Sequence, residues 1–200
     1  MGTIRAKLIA AAVAATACWT GAAAGAPVAM ETTGRTTQPV GHYEFCLELP
    51  MECRQVTSER KPAQLTRALW AVAVDINNTV NMAIEPVTDM EMWGREEAWS
   101  YPDIVGDCED YVLEKRRRLM QAGVPAGSLL ITVVRQPNGA GHAVLTLRTD
   151  LGDFILDNLE PRILAWTETE YQYLKRQSDR NSGAWVSIND GRSIAVGSVR

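Results

Sequence analysis

Three short runs rich in apolar and β-branched residues lie between positions 129 and 157, and the turns between them constrain the fold more than any other feature. Leu129 to Val134, His142 to Arg148 and Asp153 to Asp157 are separated by Pro137-Asn138-Gly139-Ala140-Gly141 and by Thr149-Asp150-Leu151-Gly152. Connections this short return the chain antiparallel, because a parallel crossover needs a dozen residues or more. The upstream pattern is helical. Leu65, Leu69, Val72, Ile76 and Val80 recur at three- and four-residue steps and predict a helix from Pro62 to about Ala83, with Pro86 forbidding continuation. Val112, Leu113, Leu119 and Met120 predict a second, amphipathic helix from Cys108 to about Gln121, stopped by Gly123 and Pro125. Helices packed on an antiparallel meander make the class α+β. Residues 41–53 are expected to be irregular and pinned by a disulfide. Residues 86–107 read as a loop carrying Trp93 and Trp99, 167–176 as a short helix, and 184–188 as a last strand.

The first 24 residues are read as a secretory signal. Arg5 and Lys7 precede an apolar run from Leu8 to Ala17, and small residues follow at 21–26. Pro27 disfavours a cut directly before it, which places the cut after Ala24 and the mature terminus at Gly25, with a flexible lead-in over 25–40. The alternatives are an uncleaved N-terminal anchor and a lipidated Cys18, the latter opposed by Ala15-Thr16-Ala17, which lacks the leucine expected there. Export removes two of the 20 basic residues, Arg5 and Lys7, leaving 18 against 24 acidic ones. That mild acidity argues against nucleic acid as a partner. Of the four cysteines, three remain in the mature chain, an odd number in an oxidising compartment. Cys46 and Cys53 share one short segment, and pairing them leaves Cys108 as a free thiol. A retained free thiol is either used chemically or buried and inert.

Cys108 stands in Gly106-Asp107-Cys108-Glu109-Asp110, where loop gives way to helix. Unpaired N–H groups at a helix start favour a thiolate, so the thiol is expected to ionise below its ordinary value of about 8.5. The three flanking carboxylates oppose this unless they turn away or bind a cation. The sequence holds two histidines, His42 and His142. His142 enters a strand from a glycine-rich turn, and a short hairpin centred near 150 carries Asp157 back beside it, within reach to orient the imidazole. Each residue alone has an ordinary explanation: a buried structural cysteine, a strand-edge histidine, a turn aspartate. The joint order of helix-start cysteine, strand histidine and paired-strand aspartate points to catalysis.

From Gly41 to about Ile188 the chain resembles the bacterial transglutaminase-like cysteine proteinases, the LapG-like periplasmic proteases. The resemblance rests on Gly41-His42, Phe45-Cys46 and Cys53, Trp93-Gly94, Trp99, Gly106-Asp107-Cys108-Glu109-Asp110-Tyr111, Gly141-His142-Ala143-Val144 and Leu156-Asp157-Asn158. It implies a papain/transglutaminase-like core over 41–200, with the nucleophile's helix packed on an antiparallel sheet. It implies a triad of Cys108, His142 and Asp157, and an upstream tryptophan, Trp99 before Trp93, as oxyanion donor. It further implies calcium held by Asp107, Glu109 and Asp110. The ordinary alternative is that Asp107 caps the helix while the other two complement its dipole. The expected function is hydrolysis of a peptide bond in an envelope or surface protein, in the periplasm, with membrane association only through a regulatory partner. A protein-glutamine acyltransferase and a non-catalytic peptide-binding protein are the competing readings.

Overall fold

The structure is a computed structural model that describes residues 28–57 and 61–192. The signal segment and the predicted terminus at Gly25 lie outside the described residues. In chain order the elements are β1 (Thr32–Thr36), α1 (Val40–Glu48), α2 (Arg67–Ala83), β2 (Glu85–Pro86), α3 (Asp89–Trp93), β3 (Val105–Gly106), α4 (Cys108–Gln121), β4 (Leu129–Arg135), β5 (Gly141–Thr149), β6 (Gly152–Leu156), β7 (Leu164–Ala165), β8 (Gln172–Gln177) and β9 (Trp185–Ile188). Seven strands form one sheet in the order β1-β9-β8-β4-β5-β6-β7, every neighbouring pair antiparallel. The fold is α+β, as the sequence predicts, and β4–β5–β6 is the expected meander at the heart of a wider sheet.

Alternation along the strands sorts side chains onto two faces. Ala143, Leu145 and Leu147 of β5 point with Leu129 and Ile131 toward Val112, Leu113 and Leu119 of α4, forming the main core. Val144 and Ile155 face the other way and pack with Met30, Trp166 and Tyr173. This second face is closed by the segment before β1: Met30 N–H donates to Asp153 Oδ2, and Arg176 completes a buried ion pair with the same oxygen at 2.9 Å.

Five stretches differ from the sequence expectation, each for a local reason. The helix predicted from Pro62 begins at Arg67. Residues before it are drawn into extended contact with β5, where Ala63 bridges Thr149, and Thr66 Oγ1 then caps Leu69 N–H. The stripe inferred for α2 also rotates, with Ala73, Asn77 and Val80 buried and Val72 exposed. The segment at 41–53 holds α1, because His42 and Phe45 seat against the core. Residues 86–107 contain α3, started by a Thr88–Glu91 capping box, and the parallel pair β2–β3. The predicted helix at 167–176 is replaced by β8, which lies between β9 and β4, where Tyr173 fills the second core. Within the expected lead-in, β1 pairs with β9.

Candidate active site

Cys108 is the first residue of α4, with Asp107 at the N-cap position. Its thiol lies in a cleft of about 500 Å³ that is also lined by Trp99, Glu97, Glu109, His142 and Lys175. The Sγ–H donates to Glu109 Oε2 at 3.1 Å, and the sulfur accepts the Ala143 N–H from β5. His142 stands at the open end of β5. The β5–β6 register pairs Leu145 with Leu156, so continuing the ladder sets Asp157 opposite Val144. Asp157 therefore lies diagonal to His142 on the same face rather than directly across from it, still within side-chain reach. The contact is made: His142 Nε2 and Asp157 Oδ1 are 2.8 Å apart, and both residues are buried. This leaves Nδ1, on the other side of the ring, free of that contact.

Asp157 is held from further directions. Tyr171 O–H donates to Oδ2 at 2.6 Å and Leu159 N–H donates to Oδ1 at 3.0 Å. Burial pushes this carboxyl up, but the contacts with His142, Tyr171 and Leu159 outweigh it and hold Asp157 below the usual carboxylate range. Asp157 is thus an anion suited to orient an imidazole and to stabilise its charged form. Tyr171 also meets the His142 ring edge-on, with centroids 5.5 Å apart. Sequence reasoning missed Tyr171, because an aromatic in a run read as a helix carries no sign of its partner.

The thiol itself departs from expectation. Burial first, and the Glu109 carboxylate second, push Cys108 well above its ordinary value, the reverse of the depression inferred from a helix start. The acids suffer the same environment. Burial and then Asp107 raise Glu109 to about 9, while burial raises Asp110 to about 7 despite the Ser100 N–H that it accepts.

The structure groups these acids in two ways. Asp107 and Glu109 have oxygens close to the Cys108 sulfur, whereas Asp107 and Asp110 converge with Asp89, the first residue of α3, with ligand atoms all within 4.8 Å of one another. One carboxylate oxygen of each, Asp89 Oδ1, Asp107 Oδ1 and Asp110 Oδ2, is buried with no hydrogen-bond partner among the described residues. Asp107 makes no side-chain capping bond to α4. Buried, unpartnered carboxylate oxygens are costly unless a cation completes them, and an all-oxygen set suits calcium. Gly106 leaves the space: a Cβ there would lie 2.9 Å from Asp110 Oδ2. Asp89 is a candidate ligand that sequence reasoning missed, since a first-turn acid in a capping box looks local.

Trp99 is buried in the cleft wall, and its indole N–H is given to Glu97 Oε2 at 3.1 Å. Trp93 is 60% exposed on α3. Cys46 and Cys53 form a disulfide with Cα atoms 5.6 Å apart, and Cys108 is the free cysteine of the described residues. His42 lies beside that disulfide, where burial and then Arg116 lower it to about 3 and Trp185 Nε1–H donates to its Nδ1 at 3.2 Å. It is a neutral core residue that packs on Trp99 and does not itself line the cleft.

The model of the bacterial transglutaminase-like cysteine proteinases matches residues 32–193. No curated protein matches the chain in sequence. Among solved structures, calcium-bound LapG of Legionella pneumophila is similar at 23% identity and a TM-score of 0.52, covering 72% of this chain and 86% of that one. The EGTA-treated form of the same protein gives 23% identity and a TM-score of 0.52, covering 76% and 80%. At this identity the structures speak for the fold alone. The family match spans most of the sequence, and with it the chain belongs to the bacterial transglutaminase-like cysteine proteinases and is a cysteine peptidase.

Proposed function

We propose that this peptidase is exported to the periplasm and cuts a protein of the cell envelope, with Cys108 as nucleophile, His142 as base and Asp157 as the residue that orients the base. The observation that carries the assignment is the 2.8 Å contact between His142 Nε2 and Asp157 Oδ1 at the cleft that holds Cys108. The sulfur attacks the amide carbonyl while His142 takes its proton, then returns it to the leaving amine. Water, deprotonated by the same imidazole, releases the acyl group from sulfur. Because burial and Glu109 oppose a standing thiolate, His142 must remove the proton as attack begins. Asp157 stabilises the imidazolium that results.

Calcium at Asp89, Asp107 and Asp110 is part of this reading. The similar Legionella structures are calcium-bound and EGTA-treated, and the three unpartnered oxygens supply hard ligands here. A bound cation would offset the acids crowded around the start of α4.

The test is activity-based labelling of the exported protein, together with a comparison of envelope proteins by size in cells with and without the gene. Cys108→Ala should abolish labelling and reproduce the deletion pattern, and His142→Ala should leave almost no turnover. Asp157→Asn should cost less, and a Cys108→Ala, His142→Ala double variant little more than Cys108→Ala alone, because the residues act as a unit. Wild-type processing by Cys108→Ala would overturn the assignment.

A further inference from the structure

Asparagine is a poor residue for a helix interior, because its amide competes for the backbone. The second half of α2 nevertheless carries Asn77, Asn78 and Asn81. Asn77 is fully buried on the face it shares with Ala73 and Val80, a position that packing alone would give to an apolar residue. Both Asn77 and Asn81 reach the same loop. Asn77 Nδ2 donates to the Pro161 carbonyl at 3.1 Å, and one turn later Asn81 Nδ2 donates to the Asp157 carbonyl at 2.8 Å. The amide oxygens of both residues have no hydrogen-bond partner among the described residues, so in each case the N–H donor is the part that is used. Asp157 is therefore gripped twice: its carboxylate by His142, Tyr171 and Leu159, and its main chain by α2.

We propose that Asn81 is a positioning residue of the catalytic unit, with Asn77 as its second anchor, the pair fixing the 157–161 backbone so that the Asp157 carboxylate meets His142 Nε2. This rests on the reading of His142 and Asp157 as base and orienter. Asn81 does not line the cleft, and it acts through the aspartate. A carboxylate that swings by an ångström no longer fixes the imidazole, and misplacement of that size costs on the order of a hundredfold in rate.

The sequence holds only two histidines, which makes the contact directly readable by long-range proton–nitrogen spectra of the imidazoles in the folded, nitrogen-labelled chain. His42 is the internal control. In Asn81→Ala the hydrogen-bonded Nε2–H resonance of His142 should broaden or move toward that of a free imidazole while the His42 signals stay in place. Alkylation of Cys108 by iodoacetamide should slow by about tenfold to a hundredfold. Asn77→Ala should do the same to a smaller degree. Should Asn81→Ala fail to fold, Asn81→Ser, which is too short to reach the Asp157 carbonyl, is read in the same way. An unchanged His142 resonance with only a lowered melting temperature would overturn the proposal and leave Asn81 a packing residue. If His142→Ala does not slow alkylation, it is the catalytic reading that fails, and the imidazole spectrum still decides whether Asn81 sets the contact.

Discussion

Burial acts on Cys108, Glu109 and Lys115 within one helix, and in each case it favours the neutral form. For the thiol and the acid that means a raised value, and for the lysine a lowered one. Lys115 lies two turns along α4 from Cys108, is fully buried, and has no hydrogen-bond partner for Nζ among the described residues. Burial brings it down from 10.5 to about 7, against the pull of the Asp157 charge. The sign of its linkage follows. Between about 7 and 10.5 the unfolded chain binds a proton that the folded chain lacks, so this group makes stability rise with pH across that window and contributes a constant penalty below it. The raised acids and the thiol work in the opposite sense over part of the same range, so the comparison must be differential. Lys115→Met should be more stable than wild type at pH 7, and its advantage should shrink between pH 7 and 9 by up to about 1.4 kcal/mol per unit. Denaturant titrations of both chains at three pH values measure this, and an advantage independent of pH would show that Lys115 stays charged in the folded chain throughout that range.

At the scale of elements, α1 lies so close to the segment at 97–99 that only glycine fits between them. A Cβ on Gly41 would lie 2.3 Å from Trp99 Cδ1 and 3.0 Å from Glu97 Oε2. Both of those residues line the cleft. Gly41→Ala should therefore destabilise by about 1–3 kcal/mol through overpacking and also slow Cys108 alkylation by moving the cleft wall. Gly34→Ala in β1, where nothing lies within 4 Å of the added carbon, should do neither. Equal effects of the two substitutions, read by denaturant midpoint and alkylation rate, would refute the close-contact account. Gly41-His42 stands out in the sequence as a motif, yet its partner Trp99 is 58 positions away, and no periodicity carries that information. The same division runs through the fold. The meander and the bounds of α4 were legible, because turn chemistry and apolar period act over a few residues. The start of α2, the existence of α1 and the identity of β8 were not, because Ala63 pairing with β5, the seating of His42 and Phe45, and insertion between β4 and β9 are tertiary events that override local preference. Around the cleft, the contact between His142 and Asp157 and the place of Cys108 at the start of α4 were readable from one hairpin and one helix start. The contacts of Asp89 with Asp107 and Asp110, and of Tyr171 and Asn81 with Asp157, were not, since each is made across chain separations that only the folded sheet and helices close.

Taken as a whole molecule, the described chain has a sheet with two packed faces and one peripheral unit, α3 with β2 and β3, that meets the start of α4 through acidic side chains. Asp89 begins α3, while Asp107 and Asp110 flank the start of α4, so their carboxylates meet at the seam between the peripheral unit and α4. Burial dominates the rise in all three, their mutual repulsion adds to it in Asp107 and Asp110, and their unpartnered oxygens remain buried. Without a cation, neutral pH sets like charges against one another across that seam. A cation bound there stabilises only the folded state, in which the three carboxylates converge, by about 2.7 kcal/mol at a hundredfold excess over its dissociation constant. For a domain of this length that is a rise in melting temperature of roughly 5–10 °C. Calcium added to the chelator-treated chain should produce such a shift and restore Cys108 labelling along with it. Asp89→Asn and Asp110→Asn should each abolish the calcium-dependent part of the shift. Each should also raise the melting temperature of the ion-free chain slightly, because one member of a repelling set has been removed. Glu109→Gln separates the two groupings of acids. Its Oε2 accepts from the thiol and it does not converge with Asp89, so the variant should keep the calcium shift while altering the alkylation rate of Cys108. Loss of the calcium shift in Glu109→Gln would move the ion to the Asp107–Glu109 side of the helix start, and a wild-type chain indifferent to both chelator and calcium would remove the ion from the account.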